Sequence, residues 1–177
     1  MKKIFLLLLL FVFKMSFGQE NAIDKYFKDF QQKNSLDIVT VSSKMFTVFL
    51  ESKQGKEKEE LANILKKLTG LKVISTNNPK NGIELYNGAC ALIPSTYETI
   101  LTMKETDRNA RFFTKENTGR KITELVMVAF QWGRFLVVSV TGDIVLSDIL
   151  KLSQNLNLQG LSDVQKQKVI QNKKRQD

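Results

Sequence analysis

Acid–base chemistry in this chain has to rest on carboxylates, because its 177 residues include no histidine. That removes Ser–His and Cys–His nucleophile activation, imidazole metal ligation and the commonest general base. Two acids stand out by position. Glu124 interrupts an apolar run, and Asp143 follows Thr141-Gly142 where a strand should give way to a helix. A paired-carboxylate hydrolase needs two such groups about 5 to 10 Å apart in a cleft. The plainer expectation is a strand charge at Glu124 that faces solvent or pairs, and a turn or cap at Asp143 whose carboxylate accepts backbone amides. Cys90 is the single cysteine and lies in the apolar stretch Ala89-Cys90-Ala91-Leu92-Ile93. One thiol without histidine cannot build a structural zinc site, and the setting suits a small buried hydrophobe. The nine glycines are scattered singly, which leaves no phosphate-cradling loop. No catalytic, cofactor-binding or metal-ligating residue is therefore assigned, and no cofactor is expected.

Recognition chemistry is better represented. Arg108, Arg111, Lys115, Arg120 and Lys121 cluster around two neighbouring turns. Together they would form a basic edge for an anionic lipid headgroup or an acidic partner; separately they are a solvated surface. Trp132 and Phe135 flank the next hairpin turn. Exposed, they would anchor a partner; tucked back, they pack against the sheet. Arg108, Arg111, Arg120, Lys121, Trp132 and Phe135 make up the candidate interaction surface.

The start of the chain sets the expected compartment. Lys2 and Lys3 precede an unbroken apolar run from Ile4 to Phe13, and Ser16-Phe17-Gly18 supplies small residues where a signal peptidase cuts. Ten apolar residues fall short of the roughly 20 a membrane-spanning helix needs. We expect a signal peptide over 1–18, a cut before Gln19 and an exported protein in the periplasm or at the outer-membrane periphery. No cysteine stands behind the apolar run, so no lipid anchor is expected. The leader holds Lys2, Lys3 and Lys14 and no acid, so a chain cut there keeps six of the nine net positive charges. A spread charge of that size suggests attraction to anionic surfaces but not nucleic-acid binding. With one cysteine no intrachain disulfide forms, and the fold must rest on its core.

The elements that position these residues follow from periodicity. Asn21 to Lys33 reads as an amphipathic helix through Ile23, Tyr26, Phe27 and Phe30. Leu36 to Val41 reads as a strand, and Ser42 or Ser43 can cap a helix from Lys44 to Glu51. Lys56 to Thr69 reads as a helix, acidic at its start and basic at its end, stopped by Gly70 in a left-handed conformation, with Leu71 to Thr76 as the next strand. Between Asn81 and Ile93 the residues alone allow either a hairpin, signalled by Asn81-Gly82 and Asn87-Gly88, or a weak helix stopped by Pro94. A meander follows: strands over 99–104, 110–115, 122–130 and 134–141, joined by short turns that force antiparallel neighbours. The 125–130 and 135–138 segments are apolar on both faces and belong at the centre of the sheet. Ser147 can cap a last helix over 148–155. One domain over 19–160 and a basic polar tail over 161–177 complete the expected organisation.

Several of these stretches resemble a family of exported proteins of Gram-negative bacteria known as domain of unknown function 4252. Lys44-Met45-Phe46, Gly70-Leu71-Lys72-Val73 and Tyr97 to Lys104 carry the resemblance, with Ile122 to Met127 and Val140 to Ile144 as its strongest parts. It spans roughly residues 20–157. These are strand edges, turns and caps, so the resemblance implies a fold and brings no catalytic residue with it. It also implies a helix ahead of the Tyr97 strand, and we expect one over 83–93.

The sequence therefore predicts a single α+β domain: a mostly antiparallel sheet of four to six strands with helices packed on it. The leading functional expectation is a non-catalytic interaction module of the bacterial envelope with a protein partner. A carrier of an apolar or lipid-like ligand comes second, and a carboxylate-based enzyme third.

Overall fold

The computed structural model describes residues 21–106 and 108–155. The leader expected over 1–18 and the tail expected over 161–177 lie outside them.

Helices α1 (Ala22–Tyr26) and α2 (Lys28–Lys33) lead into β1 (Asp37–Ser42), α3 (Ser43–Glu51), α4 (Gly55–Leu65), β2 (Leu68–Asn77) and α5 (Gly82–Leu92). The meander β3 (Glu98–Lys104), β4 (Arg108–Glu116), β5 (Ile122–Gln131) and β6 (Arg134–Ile144) follows, and α6 (Leu146–Asn155) closes the order. All six strands form one open sheet in the order β1-β2-β6-β5-β4-β3, with every pair antiparallel. The expected α+β domain is what forms, at the upper end of the expected strand count.

Alternation along each strand sends successive side chains to opposite faces of the sheet. Leu125, Met127 and Ala129 of β5 and Val140 of β6 meet Leu61, Ile64 and Leu65 of α4, with Phe46 and Phe49 of α3 and Ile149 of α6 around them. Val126 and Val128, with Phe135 and Val137, face the other way. They meet Ile23 and Phe27 at the first helices and Leu85, Tyr86 and Ala89 of α5. A sheet covered on both faces needs central strands that are apolar throughout, which is what 125–130 and 135–138 supply.

Three elements differ from expectation. The helix read over Asn21–Lys33 is two short helices joined at Phe27, whose φ is −108°. The hydrogen bonds from the Phe27 amide to Ile23 and from the Gln31 amide to Phe27 persist, so the chain bends without breaking. The bend seats the Phe27 ring, wholly buried, edge-on to Phe30 at 6.1 Å.

The helix read over 56–69 stops at Leu65, and β2 begins at Leu68. Gly70 is not a left-handed cap: it lies in β2, opposite Ser42 on one side and Thr141 on the other. The carbonyl that a helix end leaves orphaned is satisfied from the sheet instead, because the Asp143 amide donates to the Lys67 oxygen at 2.9 Å. Gly142 makes that approach possible. Its φ is +142°, and a Cβ there would lie 2.3 Å from the Lys67 oxygen.

The last helix starts at Leu146, so Ser147 sits inside its first turn and is not its cap. Over 82–92 a helix does form despite two glycines. Gly82 lets it approach so closely that a Cβ would meet the Phe130 ring at 2.2 Å, and burial of Leu85, Tyr86 and Ala89 outweighs the weak propensity.

Candidate functional site

The β5–β6 connection is a two-residue loop, Trp132-Gly133, between Gln131 and Arg134, which pair with each other. Both loop residues have positive φ, +49° and +69°, as a primed hairpin turn requires to match the twist of its strands. Asn and Gly adopt that conformation readily, whereas a bulky aromatic residue does so rarely. Trp132 is nevertheless there, 52% exposed.

Neighbouring elements hold this tip. Arg108 opens β4 opposite Gln131, and its guanidinium lies 5.6 Å from the centre of the Trp132 ring. The same guanidinium grips Glu105 through two donors, at 2.7 and 3.1 Å. From the end of β2 the Asn78 amide donates to the Gly133 carbonyl at 2.6 Å, with Asn78 itself at φ +47°. Three strand ends thus converge on one exposed indole.

The other surface residues expected from the sequence do not join it. Phe135 is wholly buried, close to Phe30 with ring centres 6.2 Å apart, and cannot present itself to a partner. It is the first inward position on β6 opposite Phe130, whereas Trp132 occupies the turn. The basic cluster is also divided, because β4 runs between its members. Arg108 lies at one end of the strand; Arg120 and Lys121 lie in the turn beyond the other end, roughly 26 Å away for eight strand steps.

Arg111 points to the face covered by α5. There its Nε is buried with no hydrogen-bond partner among the described residues, and its charge lies close to Tyr86 and Cys90. Lys115 sits 5.8 Å from the Tyr97 ring centre. No continuous basic edge results. Lys121 instead pairs with Asp143 at 3.6 Å, both side chains exposed.

The two candidate carboxylates have different fates. Asp143 is on the surface, and it is its backbone amide, not its carboxylate, that makes the structural bond. Glu124 is 3% exposed and, although Lys115 lies opposite it on β4, forms no ion pair among the described residues. Three neutral donors hold it: the Ala22 amide at 2.7 Å, the Ser139 hydroxyl at 2.5 Å and the Tyr97 hydroxyl at 2.6 Å. Burial pushes the Tyr97 hydroxyl well above the usual tyrosine range, and its bond to Glu124 adds to the shift. The carboxylate binds the first turn of α1 to β6 and to the start of β3, so its role in the fold is to anchor the N-terminal helices.

Cys90 is half-buried, and burial raises its thiol above the ordinary value against the opposing influence of Arg111 and Tyr86. A thiol shifted that way is a poorer nucleophile. Among the described residues no three acids and thiols gather as a metal site would need.

One groove lies elsewhere, between the first helices and the β1–β2 edge. Its volume is about 420 Å³, with Ile23, Phe27, Ile38 and Ile74 as its apolar lining and Asp24 and Lys28 among its polar residues. Sequence reasoning missed this feature and, on the opposite face of the same sheet edge, the exposed side chains Val39 on β1 and Met45 and Val48 on α3. The available signal was β1 itself, a short β-branched strand whose Ile38, Val39 and Val41 leave apolar side chains on both faces.

No curated protein and no solved structure matches the chain. Residues 26–152, from the end of α1 into α6, match the family described as domain of unknown function (DUF4252). With most of its length matched, and strands and turns where the resemblance placed them, the chain belongs to the DUF4252 family.

Proposed function

We propose that this domain is a non-catalytic interaction module of the bacterial envelope, exported by its leader, that captures a protein partner on the Trp132 hairpin tip. One observation carries the reading. A tryptophan occupies a left-handed turn position at which asparagine would sit without strain, and it is exposed there. Residues held in such regions cost on the order of 1–3 kcal/mol and cluster at binding and switch sites. An indole at that position contributes nothing to either core cluster, so its value lies outside the fold. The Arg108 guanidinium, itself paired with Glu105, backs the indole and holds it as a fixed apolar and aromatic contact surface.

Trp132→Asn separates recognition from stability. Asparagine relieves the turn, so the variant should melt no lower than the parent. A photoreactive residue at position 134, exposed beside the tip, should crosslink one dominant protein in the intact envelope, and Arg108→Glu should abolish that product. Crosslinks to lipid alone would point to a membrane-surface role, and equal capture by Trp132→Asn would overturn the reading.

The carrier reading draws on the abundance of phenylalanine. Phe27, Phe112 and Phe135, however, fill the two core clusters, and the groove under the first helices opens to solvent with a polar rim.

A further inference from the structure

The two edges of the sheet are built differently. On β3 the register with β4 is broken by a bulge between Thr99 and Leu101, and Glu98 and Lys104 stand at its ends. Bulges and edge charges are the devices by which sheets avoid pairing with other chains. Among the described residues β1 has no bulge, and its one charge, Asp37, stands at its first position. Asp37 to Ser42 keep an unbroken register with β2, and no charged residue or proline lies between Ile38 and Ser42. Ile38 and Val39 are about half exposed, one on each face of the sheet.

Helix α3 extends this surface. It packs over β1 and β2 on the same face as Val39 and leaves Met45 and Val48 about half exposed. Lys44 at its start and Glu51 at its end are both exposed, and neither forms an ion pair among the described residues.

We propose that this edge binds a second copy of the chain, β1 pairing antiparallel with β1 about a two-fold axis perpendicular to the sheet. The chemistry is self-complementary. Antiparallel pairing keeps each face continuous, so the Val39 side chains share one face with both α3 helices. The same axis runs the two α3 helices in opposite directions. Met45 and Val48 then meet their own copies across the axis, and Lys44 of each chain lies toward Glu51 of the other. It also separates the two Asp37 carboxylates, which parallel pairing would stack. Each copy contributes one six-residue edge and a short helix face, below the ~800 Å² per partner of a standard interface, so the dimer is concentration-dependent. The surface is separate from the Trp132 tip and does not rest on that assignment.

Sedimentation velocity of the protein as isolated, over about 1 to 100 μM, tests this. The parent should pass from monomer to dimer across that range. Thr40→Lys places a charge on the open edge and should remain monomeric with an unchanged circular dichroism spectrum. Ile100→Lys on the opposite edge should dimerise like the parent. Lys44→Glu should weaken association about five-fold, and adding Glu51→Lys should restore it. A parent that stays monomeric throughout, a Thr40→Lys variant that still dimerises, or a charge swap that fails to rescue overturns the proposal.

Discussion

Three helices cover each face of the sheet, yet the two faces are held in different ways. Beneath α3, α4 and α6 the contact is apolar, with Leu61, Phe112 and Met127 at its centre. Beneath α1, α2 and α5 an apolar layer surrounds a buried carboxylate, Glu124, with Ser139 and Tyr97 turned toward it, and Arg111 lies near Tyr86 and Cys90. An apolar layer holds its helices by area and tolerates small shifts. A buried carboxylate specifies position, because each donor must arrive within hydrogen-bond distance or the charge is left uncompensated. That difference accounts for how two helices of five and six residues stay docked: the first amide of α1 is bonded to Glu124.

The comparison is broken most severely at Glu124. Glu124→Ala leaves three buried donors without an acceptor and should cost about 4 kcal/mol of unfolding free energy, measured by urea denaturation. Loss of amide protection should concentrate in residues 22–33. On the apolar face Leu61→Ala opens a cavity and should cost about 3 kcal/mol, with protection lost evenly across α3 and α4. If both substitutions loosen the same helices, the two layers are not independent. Glu124→Gln keeps one carbonyl acceptor and should cost about 2 kcal/mol, and a cost equal to that of Glu124→Ala would show that charge matters there more than shape.

Alkaline titration sharpens the contrast further. Burial holds the Tyr86 hydroxyl up at about 12, from an ordinary 10.0, and raises Tyr97 as well. A raised folded-state value means that ionisation favours the unfolded chain. The stabilisation is complete below pH about 10 and is lost as pH rises toward 12 and beyond. Both tyrosines belong to the layer beneath α1, α2 and α5. Tyr86→Phe with Tyr97→Phe should therefore flatten the alkaline fall in melting temperature, which no substitution in the apolar layer should do. The smallest effect is expected outside both layers. Lys121→Ala removes an exposed pair at 3.6 Å and should change stability by no more than about 0.5 kcal/mol.

Particular residues show what could be read in advance. The meander from β3 to β6 was legible because short turns and apolar alternation are local signals, and so was the central position of 125–130. The 82–92 helix was legible only through resemblance, since its own residues favour a hairpin about equally. Gly70 misled because a glycine after a basic helical turn looks the same whether it ends a helix or sits within a strand, and the deciding bond comes from Asp143, 73 positions beyond Gly70. Of the candidate surface, Trp132 and Arg108 are brought together. Phe135 and Arg111 turn inward, and Arg120 and Lys121 lie at the far end of β4.

The order and type of most elements, the antiparallel meander and the absence of histidine chemistry were determined by the sequence alone, because periodicity, turn residues and composition act over a few neighbours. Only the tertiary structure decided that Glu124 is an anchor, that Phe135 is core while Trp132 is exposed, and that β1 is an edge strand of the sheet among the described residues. Whether a side chain is buried depends on which distant segment packs over it, and residue type and spacing do not carry that information.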